Sequence, residues 1–109
     1  MSSGGVGPPY SIWASDGTLE AIRELYRRAR AIGVLLRFHR AMEEIHEALQ
    51  TLPGEWGDPL AKLSGLRMTH YHRVYDEMRV VFGVHWDRAV VWLVSVTPVL
   101  THPLRASDG

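Results

Sequence analysis

The run Met68–Val96, MTHYHRVYDEMRVVFGVHWDRAVVWLVSV, decides the fold. Three apolar-rich segments, Met68–Tyr75, Met78–His85 and Ala89–Val96, are separated by the short polar breaks Asp76-Glu77 and Trp86-Asp87-Arg88. Breaks this short join neighbouring antiparallel strands, because a parallel crossover needs about a dozen residues or more. The middle segment alternates. Met78, Val80, Phe82 and Val84 fall on one face; Arg79, Val81, Gly83 and His85 fall on the other. The last segment, AVVWLVSV, is apolar on both faces, the pattern of a strand covered on both sides or central in its sheet. A three-stranded antiparallel meander is therefore expected, and the rest of the chain should cover it.

Upstream, Met1–Pro9 is Ser, Gly and Pro with a single Val after the initial Met. Such a segment buries too little apolar area to offset its ordering entropy, so residues 1–9 are expected to form a disordered tail. Tyr10–Ala14 (YSIWA) alternates and reads as a short strand. Ser15 or Asp16 is suited to cap a helix running to about Ile32, with Glu20 in its favoured first turn. Leu19, Ile22, Tyr26 and Ala29 form its apolar stripe, and Arg23, Arg27, Arg28 and Arg30 its charged side. Gly33 suits the position just past the helix end. A second helix is expected from about Leu35 to Leu52, with Phe38, Ala41, Met42, Ile45 and Leu49 at helical spacing and Pro53-Gly54 ending it. The short break at Gly33 implies an antiparallel helical hairpin.

Gly54–Gly65 (GEWGDPLAKLSG) reads as a loop anchored by Trp56, Leu60 and Leu63. Beyond Val96 come two prolines; Pro98 should end the third strand or confine its continuation to an edge. Residues 101–109 read as a C-terminal tail. The expected fold is α+β: an N-terminal strand and an antiparallel helical hairpin packed on an antiparallel β-meander, one domain over residues 10–100. The first strand should pair alongside the last strand or another edge.

Composition bounds function. The chain has 109 residues and no cysteine, which excludes disulfides, a thiolate nucleophile and a Cys-ligated zinc, and suits a reducing, cytoplasmic setting. No apolar run approaches the ~20 residues of a membrane span, and the first residues lack the basic and apolar regions of a signal peptide, so no membrane association is expected. The formal net charge is zero. Of the 12 basic side chains only Lys62 is lysine. Arginine is the better fork for phosphates and carboxylates, although a GC-rich genome produces the same bias.

The candidate chemistry lies on the sheet. In the first meander strand His70 and His72 share a face with Met68 and Val74, and Arg73 shares the other with Thr69, Tyr71 and Tyr75. An arginine inside a β-run, Arg79, needs a carboxylate such as Glu77 or Asp87, or an open cleft that receives phosphate. His70-Tyr71-His72, with His85 as a third ligand, has the outline of a metal site, but no carboxylate or cysteine stands at useful spacing. Neither a metal nor another cofactor is expected. A histidine near an arginine on an open face suits phosphodiester chemistry, where His moves a proton near neutral pH and Arg stabilises the phosphate charge. The bland alternative is a solvated polar face. Trp56, Trp86 and Trp92 read as packing or turn residues, and Trp13 as either core or a stacking platform for a base.

Taken together, the chain resembles the RelE/ParE superfamily of small bacterial toxins, the effector half of type II toxin–antitoxin pairs. The resemblance covers about residues 10–100. It rests on the β-α-α-β-β-β order and on three segments: GDPLAKLSGL at 57–66, YDEMRVVFGV at 75–84 and VVWLVSVTPV at 90–99. It implies a compact microbial-RNase-like fold held inactive by a cognate antitoxin. RelE-like members cut mRNA in the ribosomal A site, causing translation inhibition and growth arrest; ParE-like members inhibit DNA gyrase by binding. Carried over, Arg79 matches the strand arginine and Asp58 falls where some ribonuclease members carry a glutamate. With His70 and His72 these form the expected catalytic set. Lys62, Arg67, Arg73 and His102 form the expected RNA- or phosphate-binding set. After the last strand, where RelE-like nucleases carry a basic residue or His followed by Tyr, this chain has Thr97, Pro98, Val99 and Leu100.

Overall fold

A computed structural model describes residues 10–106; the tail expected over residues 1–9 lies outside them, as do residues 107–109. The elements in order are β1 (Ser11–Ala14), α1 (Asp16–Ala31), α2 (Leu35–Thr51), α3 (Pro53–Trp56), β2 (Asp58–Leu63), β3 (Met68–Tyr75), β4 (Met78–His85), β5 (Val90–Pro98) and α4 (Pro103–Ala106). The five strands form one mixed sheet in the order β1-β5-β4-β3-β2. Among the described residues, helices cover one face and leave the other open.

The helical hairpin forms as its periodicity dictates. Ser15 caps α1, its hydroxyl accepting from the Thr18 N–H at 3.1 Å. Gly33 follows α1 with φ +82°, the left-handed conformation that glycine adopts at no steric cost. Leu25 and Ala29 of α1, and Phe38, Ala41, Ile45 and Leu49 of α2, are buried against the inner face of the sheet. That face supplies Met78, Val80, Phe82 and Val84 from β4, and Val91, Leu93 and Val96 from β5. Phe82 is fully buried, stacked on Tyr71 with ring centroids 5.5 Å apart and 5.9 Å from Trp56. Among the described residues, no helix is long and apolar enough to cross a membrane.

The sheet contains more than the meander. β1 pairs with β5, as one of the expected positions, and does so in parallel, Ser11 with Val90 through Ala14 with Leu93. Residues 58–63, read as loop, form a fifth strand antiparallel to β3, with a register shift between Pro59 and Ala61 that leaves Leu60 without a partner. Every residue of β2 but Leu63 is exposed, so no apolar alternation marked it; pairing with β3 makes it a strand. Residues 53–56, spanning the expected helix end and the start of that loop, form a helical turn with Pro53 buried. β5 also carries a bulge. Val81 pairs with Ser95 and Phe82 with Leu93, so Val94 is the extra residue. The Thr18 hydroxyl donates to the Val94 carbonyl at 2.8 Å, tying α1 to the bulge.

The segment after β5 is not a free tail as far as it is described. His102 and Leu104 are both 0% exposed. The Val99 N–H donates to the Glu77 carbonyl and the His102 N–H to the Val99 carbonyl, each at 2.9 Å. Arg28 of α1 donates to the Leu104 carbonyl. Leu104 joins the core cluster, which supplies the apolar burial that two prolines had masked in the sequence.

Candidate functional site: the open face of the sheet

Alternation along the strands sorts the candidate residues between the two faces. Arg79, Val81, Gly83 and His85 of β4 point away from the helices, and register fixes their neighbours. Arg79 stands across from Val74 on β3 and Thr97 on β5; Val81 across from His72 and Ser95; Gly83 across from His70 and Trp92. On the far side of β3, Asp58 is the register partner of His72 and Ala61 that of His70. The open face therefore gathers Asp58, His70, His72 and Arg79. Directly opposed pairs hold their Cβ atoms about 4.5–5.5 Å apart, and diagonal neighbours roughly 7–8 Å. His72 is thus opposed to Asp58 and diagonal to Arg79.

The partners that would have made Arg79 a structural cation are engaged elsewhere. Glu77 accepts from Arg37 at 2.9 Å and from the Thr101 hydroxyl. Asp87 accepts from Arg67 at 2.9 Å. Among the described residues Arg79 is exposed and has no carboxylate partner. Beside it, the Nδ1 of His72 is buried without a hydrogen-bond partner. An exposed, uncommitted guanidinium, an imidazole and an opposed carboxylate are the groups that bind a phosphodiester and move protons around it.

The expected phosphate-binding set is not brought together with these four. Lys62 and Arg73 pair in register with Thr69 and Val80, which places both on the helix-side face at its lateral edge. Lys62 lies over the Trp86 ring, 5.0 Å from its centroid. Arg73 donates to the Trp56 carbonyl at 2.8 Å and sits 5.2 Å from that ring's centroid. Arg67 is paired with Asp87, at a backbone φ of 54°. His102 has no exposed surface to offer a phosphate; its Nδ1 accepts from the Leu104 N–H at 3.0 Å. Burial lowers its pKa, as does Arg37 nearby. Among the described residues no three His, Asp or Glu side chains cluster as metal ligands do, and His70, His72 and His85 do not converge.

The sequence reads one aromatic of the face otherwise, and leaves a second open between core and a stacking platform. Trp92 was expected to pack, yet it is 37% exposed on the open face. Trp13, its register partner on β1, is 58% exposed. The period-2 pattern of β5 contained the signal, since Val91 and Leu93 flank Trp92 and are both buried.

No family model matches the sequence, and no curated protein does. Among solved structures, the chain superposes on the archaeal RelE-RelB complex from Pyrococcus horikoshii OT3 with a TM-score of 0.58. The match covers 86% of this chain and 99% of that one, at 16% identity. The chain has a RelE-like fold.

Proposed function

We propose that this protein is the toxin of a type II toxin–antitoxin pair, cleaving RNA on the open face of its sheet. The observation that carries the reading is the uncommitted Arg79 on a face that also holds His72 and Asp58, within a RelE-like fold. In the proposed reaction the 2′-hydroxyl attacks the adjacent phosphorus. The O2′–P bond forms, the P–O5′ bond breaks, and the products are a 2′,3′-cyclic phosphate and a 5′-hydroxyl. His72 and Asp58 shuttle the proton from the 2′-oxygen to the leaving 5′-oxygen. Arg79 stabilises the charge that gathers on the phosphate oxygens. The steps need no metal and no redox partner. The substrate would be mRNA on the ribosome, and the partner an antitoxin; the structural neighbour was solved as a RelE-RelB complex.

The test is inducible expression in a bacterial host, alone and together with the product of the adjacent open reading frame. Growth should arrest with the wild-type chain, recover with the neighbour's product, and continue undisturbed with Arg79→Ala. Primer extension should map cuts in mRNA. Continued growth on expression of the wild-type chain alone would sink the toxin reading.

A second reading, a non-enzymatic inhibitor that binds a protein such as DNA gyrase in the ParE manner, is favoured by one observation. The end of β5 beside Arg79 offers Thr97, followed by Pro98 and Val99, with no titratable side chain among them. Arrest without mRNA cuts but with DNA damage would select it.

A further inference from the structure

One row of residues crosses the whole sheet on its open face: Trp13 on β1, Trp92 on β5, Gly83 on β4, His70 on β3 and Ala61 on β2, each the register partner of the next. Gly83 is what makes the row flat. A Cβ placed there would lie 3.0 Å from His70 Cδ2 and 3.0 Å from Met68 Sδ, so the imidazole lies over the position a side chain would occupy. Three rings, Trp13, Trp92 and His70, therefore stand along one tier, and the two tryptophans are exposed.

This tier stands at a defined distance from the phosphate-binding centre. Residues on one face of a strand are about 6.8 Å apart, two rises of ~3.4 Å. The Gly83 and Arg79 rows are two such steps apart, roughly 13–14 Å, which an extended single strand of about two nucleotides spans. Among the described residues the face carries the Arg79 guanidinium and the imidazoles of His70, His72 and His85 with one acid, Asp58, while Glu43, Glu44 and Glu47 lie on the helical layer. Exposed rings on an open sheet face, with a guanidinium beyond them, form the arrangement that holds unpaired bases by stacking and their backbone by charge. Ser11, Ser95 and Thr97 lie in neighbouring rows of the same face, so hydroxyls as well as Val81 and Val90 border the rings.

We infer that Trp13 and Trp92 form a base-stacking platform that holds a single-stranded RNA about two nucleotides from the phosphate at Arg79. The inference rests on the RNA-cleaving reading above and adds to it the position and chemistry of a base subsite. The platform accepts any base, since every base has a π-face, and requires an unpaired strand, because a duplex hides those faces.

The experiment uses the full chain and a short, fluorescein-labelled, 2′-O-methyl oligoribonucleotide of mixed sequence, which binds without being cut. A matched oligonucleotide carries consecutive abasic residues. Anisotropy is followed for the wild type, Trp13→Ala, Trp92→Ala, Trp13→Phe and Arg79→Ala, each checked for folding by circular dichroism. Each tryptophan-to-alanine change should weaken binding about 5- to 150-fold, the equivalent of about 1–3 kcal/mol per stacked base. Trp13→Phe should retain most of the affinity. The abasic strand should bind the wild type as weakly as the alanine variants bind the intact strand, and those variants should lose nothing further on it.

Unchanged affinity in both alanine variants, with Arg79→Ala weakened, overturns the platform and leaves the nuclease reading standing. No binding of either strand by the wild type overturns the platform, while growth arrest and primer extension decide the nuclease reading separately. A tryptophan variant that loses self-association in sedimentation but keeps its RNA affinity assigns the tier to a protein contact, and overturns the inference.

Discussion

Arg37 holds Asp76 through both arms of its guanidinium, Nε to Oδ2 at 3.1 Å and an Nη to Oδ1 at 3.0 Å, and the same Nη reaches Glu77 at 2.9 Å. Asp76 and Glu77 form the turn between β3 and β4, and both have positive φ, 49° and 63°. Two-residue hairpins favour this conformation because it matches the strand twist, but Asn-Gly is the sequence that suits it best. Here an arginine fork from α2 holds a turn that the local sequence does not favour.

Arg37→Ala should therefore lower Tm by a few degrees. The pair is partly exposed, with side-chain exposures of 38% and 32%, so the loss is modest. The Glu77 carboxyl is held below its usual 4.5 by the Thr101 hydroxyl and then by Arg37. A depressed carboxyl contributes stability above the unfolded value, lost as pH falls through the folded one. Thermal melts from neutral pH to below 4.5 should show a shallower acid limb in Arg37→Ala than in the wild type.

Gly57→Ala should destabilise the fold by about 1–3 kcal/mol through overpacking. The added Cβ would stand 2.6 Å from Phe82 Cζ and 3.0 Å from Tyr71 Cβ. Phe82 is fully buried between Tyr71 and Trp56 and has no room to retreat. Urea denaturation gives the change, which should appear as a lower midpoint at unchanged slope.

His102→Asn should flatten the dependence of stability on pH below 6.5. Burial, and then Arg37, lower the pKa of His102 from 6.5, opposed by Asp76 and Glu77. Above 6.5 the group is neutral in both states and its contribution is complete. As pH falls through 6.5 toward the folded value, the unfolded chain takes up a proton that the folded chain refuses, and stability is lost. Asparagine keeps an acceptor for the Leu104 N–H, so the variant should fold and lose the slope. A wild-type Tm that stays level from pH 6.5 downward until the carboxylates titrate would contradict this.

Arg79→Ala should reduce the rate of RNA cleavage about 10²- to 10³-fold, the usual effect of removing one group that stabilises transition-state charge. Arg79→Lys keeps the charge but loses the planar fork, and should recover part of the rate. Both should melt close to the wild type, because Arg79 is exposed and makes no ion pair among the described residues.

The helical hairpin and the meander were legible because both carry their burial as a period in the sequence, 3.6 for Leu25 to Leu49 and 2 for Met78 to Val84. β2 was not, because Asp58–Leu63 has almost no buried side chain and owes its form to hydrogen bonds with a distant strand. The parallel seating of β1 belongs to the topology, which local pattern does not contain. The C-terminal burial of His102 and Leu104 was hidden by flanking prolines. For the candidate site, alternation alone put Arg79 and the two histidines on definable faces. What pairing added was the opposition of Asp58 to His72 and the alignment of Trp13 with Trp92, both of which need the register of strands the sequence left unplaced.

The pairing of Ser11 with Val90 also sets the order in which this surface comes into being. Contacts between residues so far apart along the chain close a long loop and carry its closure entropy. During synthesis β1 emerges well before β5, so it lacks this partner, and Trp13 lacks Trp92 beside it, until residues 90–98 have also emerged. The paired tryptophans of the open face therefore cannot form on a chain interrupted before Val90.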